Sequence, residues 1–123
     1  MILTGKCKEE FGKWLVCGEG SVNFEKYYSD EYGDDDPYLW FTELPASMQY
    51  GVYVDFFDSV GIRISTDNFI DTVKDSEFFM FIICDCKSRH LINHVKENTP
   101  FIKSRPEART VAIEKANEIY NKI

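Results

Sequence analysis

Apolar residues recur along this chain with two different periods, and the change between them falls at Gly61. Ahead of it, Leu3, Cys7, Phe11, Trp14 and Leu15 stand three and four residues apart, the spacing of one face of an α-helix. Thr4 is placed to cap that helix and Gly18 to stop it. From Leu44 to Gly61 two patterns overlap. Val52, Val54 and Phe56 alternate as in a strand, whereas Leu44, Met48, Val52 and Phe56 repeat every fourth residue, flanked by Tyr53, Phe57 and Val60. The helical pattern also accounts for the ends, with Pro45 at the first helical position and Gly61 just past the last, so a helix is predicted. Gly51 inside it costs about 1 kcal/mol relative to alanine, which predicts close packing at that point.

After Gly61 the runs shorten and become β-branched and aromatic. "GIRIS", "FIDTV" and "FFMFIICD" read as strands, separated by Thr66-Asp67-Asn68 and by Lys74-Asp75-Ser76-Glu77. Residues 88–98 fit either a short helix or an edge strand. The last element is again a helix. Ser104 and Glu107 form a capping box around Pro106, and Ala108, Val111, Ala112, Ala116, Ile119, Tyr120 and Ile123 form one stripe, with Glu114, Asn117, Glu118 and Asn121 opposite. The small alanines let such a helix approach a sheet closely. The expected fold is a single α+β domain over residues 1–123: two N-terminal helices, an antiparallel β-meander of three or four strands, and a C-terminal amphipathic helix packed on the sheet.

Composition narrows the class. With 123 residues, 44% hydrophobic, and ten Phe, seven Tyr and two Trp, the chain can build its own core. "MILTGKCKEEF" turns polar too early for a signal peptide, and "FFMFIICDC" is too short to span a bilayer, so a cytoplasmic protein is expected. Cys7, Cys17, Cys84 and Cys86 are then expected to be reduced thiols. Charge is unevenly placed. Residues 1–60 carry four Lys against twelve acids, a net of −8, while residues 61–123 carry ten bases against nine acids, a net of +1. The front half repels phosphate backbones and attracts basic partners.

Candidate chemistry follows that asymmetry. Tyr28, Asp30, Glu31, Tyr32, Asp34, Asp35, Asp36, Tyr38 and Trp40 interleave rings with carboxylates. Either the rings pack inward and only the acids meet water, or the rings anchor a partner that the acids steer. The Asp34–Asp36 triplet lacks the spacing and glycine of an EF-hand loop. A smaller basic patch is expected at Lys103, Arg105 and Arg109, within a segment 87–109 that holds six bases against two acids. The arginine stems either lie on apolar surface with their heads in water, or present cations to an anion at a helix start. Cys84, Cys86, His90 and His94 are zinc-type ligands, but C-x-C is tighter than usual and the histidines share a face only on a helix. No metal or cofactor is therefore assigned. No nucleophile–base arrangement or phosphate-cradling glycine loop is legible, and a non-enzymatic protein is expected.

"SMQYGVYVDFFDSVGI" and "SRPEARTVAIEKANEIYN" resemble segments of small phage and prophage proteins of Bacteroides- and Flavobacterium-type bacteria. That resemblance implies an accessory gene of a mobile element, acting in the cytoplasm of a host bacterium. Many anti-CRISPR proteins are similar in size and acidity. The expected function is inhibition of a host defence protein, with an RNA-guided CRISPR nuclease or its guide complex as the basic partner. The alternatives are a small RNA- or nucleic-acid-binding module using segment 87–109, and a phage structural or assembly protein.

Overall fold

A computed structural model describes residues 2–17, 41–87, 90–93 and 102–123. Its elements are α1 (Gly5–Cys17), α2 (Ala46–Ser59), β1 (Ile62–Asp71), β2 (Ser76–Asp85), β3 (His90–Asn93) and α3 (Arg105–Asn121). The α+β class is thus observed, with an antiparallel sheet built on the long β1–β2 hairpin. The four residues of β3 run along the far side of β2's end, giving the strand order β1-β2-β3. Helix α3 packs on β1 and β2, α2 on β1 and α3, and α1 on α3.

The hairpin corrects the expected strand breaks. Ile62–Ser65 of "GIRIS" and Phe69–Asp71 of "FIDTV" belong to one strand, Thr66-Asp67-Asn68 lies inside it, and Thr72 and Val73 fall in the hairpin turn. Pairing continues without interruption from Ile62↔Asp85 to Asp71↔Ser76. The reason is burial. Ile62, Ile64, Thr66, Asn68 and Ile70 share one face, whose first two members are buried, whereas Asn68 and Ile70 are exposed. Polar residues in the middle of the strand therefore mark where the helical cover ends, not where the strand ends. The hairpin turn needs one left-handed residue, Asp75 (φ 48°), and Gly61 (φ 84°) makes the sharp passage from α2 into β1.

Helix α2 keeps the preferred reading, with Pro45 as its N-cap, one position earlier than expected. Val52, Tyr53, Phe56 and Phe57 are buried, while Met48, expected on the stripe, is 55% exposed. The expected close packing at Gly51 is not found among the described residues: the residue is exposed, and a Cβ built there meets none of them within 4 Å. Phe11 of α1 is the hub of the core. Its ring centroid lies 5.0 Å from Phe41, 5.0 Å from Tyr53 and 5.3 Å from Phe56. These tilted and edge-on geometries add to the apolar burial itself. Cys7 sits in this core, where burial pushes its thiol up to about 12.

The stripe on α3 is rotated from the expected one. Ala108, Ala112, Ile113 and Ala116 are buried, Ile123 is 63% exposed, and Asn117, expected on the polar face, is buried. Ser104 caps the helix as expected, its Oγ accepting from the Glu107 N–H at 3.3 Å. Asn117 is buried because it works for another helix. Its Oδ1 accepts from the Thr4 N–H at 3.0 Å, and its Nδ2 donates to Thr4 Oγ1 at 3.0 Å. Asn121 Oδ1 accepts from the Cys7 N–H at 2.8 Å, and its Nδ2 donates to the Thr4 carbonyl at 3.0 Å. The acceptor that satisfies the start of α1 is thus Asn121, not the Thr4 hydroxyl, which is itself taken up by Asn117. Gly5 permits the approach. Its φ is +58°, and a Cβ there would stand 3.3 Å from Asn121 Oδ1.

Loss of this clasp leaves the Cys7 N–H without an acceptor. Asn121→Ala is expected to lower the unfolding free energy by about 1–2 kcal/mol, read as a lower urea midpoint at unchanged slope. Glu114→Ala, on the exposed side of the same helix, is expected to stay within about 0.5 kcal/mol. Equal effects would remove the clasp from the account.

Candidate functional site

The chain enters α3 beside the sheet. The Phe79 N–H donates to the Ile102 carbonyl at 2.8 Å, so residue 102 pairs with β2 beyond the reach of β3. Lys103 and Ser104 follow, exposed, and α3 then turns back over the face on which Ile64 and Phe81 are buried. This path brings the start of α3 to the half of the hairpin that the helices leave uncovered. Tyr50, from the second turn of α2, reaches the same place, its hydroxyl 3.5 Å from Thr66 Oγ1.

Both arginines of the expected patch sit on aromatic rings. The Arg109 guanidinium carbon lies 4.9 Å from the Tyr50 ring centroid, and that of Arg105 lies 5.8 Å from Phe79. Such placement is worth about 0.5–1 kcal/mol at an exposed site and more when desolvated. It also fixes the direction of each cation. Neither arginine, nor Lys103, forms an ion pair with a described carboxylate. Arg109 Nε is buried without a hydrogen-bond partner. A buried donor left unmade ordinarily destabilises the fold by about 1–3 kcal/mol. The structure therefore brings together Arg105 and Arg109 from α3, Tyr50 and Thr66 from α2 and β1, and Phe79 from β2, with Lys103 at the rim. The heads, expected in water or at an anion, lie over aromatic rings. The specific ring under each head is what spacing alone did not reveal, since Tyr50 and Phe79 are remote in sequence.

The expected partner-binding residues Tyr28, Asp30, Glu31, Tyr32, Asp34, Asp35, Asp36, Tyr38 and Trp40 lie outside the described residues. Of the described front-half carboxylates, Glu9, Asp55 and Asp58 are exposed on α1 and α2. Glu10 pairs with Lys13 at 3.5 Å on the surface of α1. At the zinc-type motif, His90 belongs to a strand, which removes the helical spacing that a shared His90–His94 face requires, and His94 lies outside the described residues. Partial burial and the neighbouring Cys86 thiol push the Cys84 thiol above its ordinary value. Among the described residues, no group of three or more His, Cys, Asp and Glu is placed to hold a metal ion. No described helix is long and apolar enough to cross a membrane. Comparison with known protein families, with curated protein sequences and with solved structures finds no match to this chain.

An arginine whose Nε has no partner contributes little that an apolar side chain of similar length would not. Arg109→Met is expected to leave urea stability within about 1 kcal/mol, or to raise it. A loss well beyond that would show the guanidinium to be structural.

Proposed function

We propose that this chain is a non-enzymatic binding protein of phage or mobile-element origin that inhibits a host defence protein by covering a basic surface. The observation that carries this is the charge partition, −8 over residues 1–60 against +1 over residues 61–123. Helices α1 and α2 support it, because Glu9, Asp55 and Asp58 are exposed and form no ion pair among the described residues. The resemblance of residues 47–62 and 104–121 to phage-encoded proteins supports the source. In this mechanism Tyr28, Tyr32, Tyr38 and Trp40 anchor the contact, while Asp34, Asp35 and Asp36 steer association with a lysine- and arginine-rich channel built for nucleic acid. An RNA-guided CRISPR nuclease has such a channel.

Purified protein is expected to inhibit target cleavage by one member of a panel of RNA-guided nucleases. The Asp34→Lys, Asp35→Lys, Asp36→Lys variant should weaken that inhibition about tenfold or more, and the loss should grow as salt is lowered. Unchanged inhibition by the variant would end the acidic-surface reading.

A second reading is favoured by one feature, the pair of ring-seated arginines that no described carboxylate pairs. It takes the start of α3 as a contact for phosphate groups of single-stranded RNA. Binding at low salt that is lost in the Arg105→Ala, Arg109→Ala double variant supports it, and absence of binding at low salt removes it.

A further inference from the structure

We infer that the open edge of β1 pairs with the same edge of a second copy of this chain. Strand β1 ends the sheet order β1-β2-β3 and is ten residues long. Its far edge carries no strand partner among the described residues.

Two hydrogen bonds determine which groups that edge presents. The Cys86 N–H donates to the Gly61 carbonyl at 2.8 Å, which continues the β1–β2 ladder one step past Ile62. Alternation then turns the amides and carbonyls of Arg63, Ser65, Asp67 and Phe69 toward β2. The Phe79–Ile102 bond, on the other side of β2, has the matching parity. Ile64, Thr66, Asn68 and Ile70 therefore direct their backbone groups away from the sheet. Of the usual protections of such an edge, β1 lacks proline, lysine and a bulge in its register; its exposed charges among the described side chains are Arg63 and Asp67, of opposite sign.

The side chains favour one self-pairing. In an antiparallel pair with Ser65 on the twofold axis, Ile64 of one copy stands opposite Thr66 of the other, and both direct their backbone groups across. In that register Arg63 faces Asp67 of the second copy, and the axis makes this contact twice. Both residues are exposed and belong to neither described ion pair. Among the described residues, Asp67 Oδ1 accepts only from the N–H of adjacent Asn68. With Asp67 on the axis instead, two like charges meet directly, which is unfavourable.

Gly51 is an independent sign. It is destabilising inside α2 relative to alanine, and nothing among the described residues requires it. The Tyr50–Thr66 contact places its turn of α2 beside the strand residue next to Ser65. The twofold that pairs the strands relates two such turns, and an exposed position without a side chain on each permits close approach. The product is a continuous six-stranded antiparallel sheet, and it is independent of which partner the acidic surface takes.

Sedimentation equilibrium of the full chain over a wide concentration range tests this, combined with amide hydrogen exchange. A species of twice the 14.4 kDa chain mass is expected, in which the Thr66 and Asn68 amides become slow to exchange as the dimer fills. Arg63→Asp or Asp67→Arg alone should weaken dimerisation roughly tenfold, and the two together should restore it. Gly51→Gln should weaken it while making the dilute monomer harder to unfold, because a glycine inside an exposed helix turn is replaced by a better helix former. A monomer at every concentration, a dimer whose Thr66 and Asn68 amides still exchange freely, or charge reversal without rescue would each overturn the proposal.

Discussion

Two asparagine side chains near the end of the chain satisfy the backbone at its beginning, and the arrangement of the helices follows from that. The first turn of any helix leaves N–H groups without intrahelical acceptors. Here the acceptor for Cys7 is Asn121 Oδ1, and Thr4 is gripped at its N–H, hydroxyl and carbonyl by Asn117 and Asn121. The clasp lets α1 lie across the far end of α3 and so places Phe11 against Phe41, Tyr53 and Phe56. Without it, α1 would be a short helix whose isolated stability is marginal.

The opposite end of α3 has the opposite character. Its middle is close to the sheet because Ala108, Ala112 and Ala116 are fully buried. On the other side of its first two turns, where the hairpin is uncovered, Arg105 and Arg109 rest on rings supplied by β2 and α2. One helix thus closes the fold at one end and holds cations toward solvent at the other. The sequence is acidic over residues 1–60, and among the described residues this small ledge gathers cations that no described carboxylate pairs.

Local rules made the elements legible but not their tertiary duties. The Ser104 cap, the buried face of α2 and the turn at Gly61 could all be read because each depends on neighbours within a few residues. Asn117 could not, because an asparagine on a helix reads as polar surface until the helix beside it is known. Thr66-Asp67-Asn68 read as a break because polarity inside a strand looks the same whether the strand ends or merely leaves its cover. Gly51 was read as a site of close packing, yet the described residues leave it open. The rings under Arg105 and Arg109 were beyond reach for the same reason as the clasp, being contacts between elements far apart in sequence.

The central claim is that the two ends of the chain are one cooperative unit. Native-state hydrogen exchange across a series of low urea concentrations tests it most directly. The Cys7 and Phe11 amides of α1 should converge on the same opening free energy as the Ala112 amide of α3. Exchange of Cys7 and Phe11 through a much cheaper, urea-independent opening, with Ala112 still protected, would contradict it.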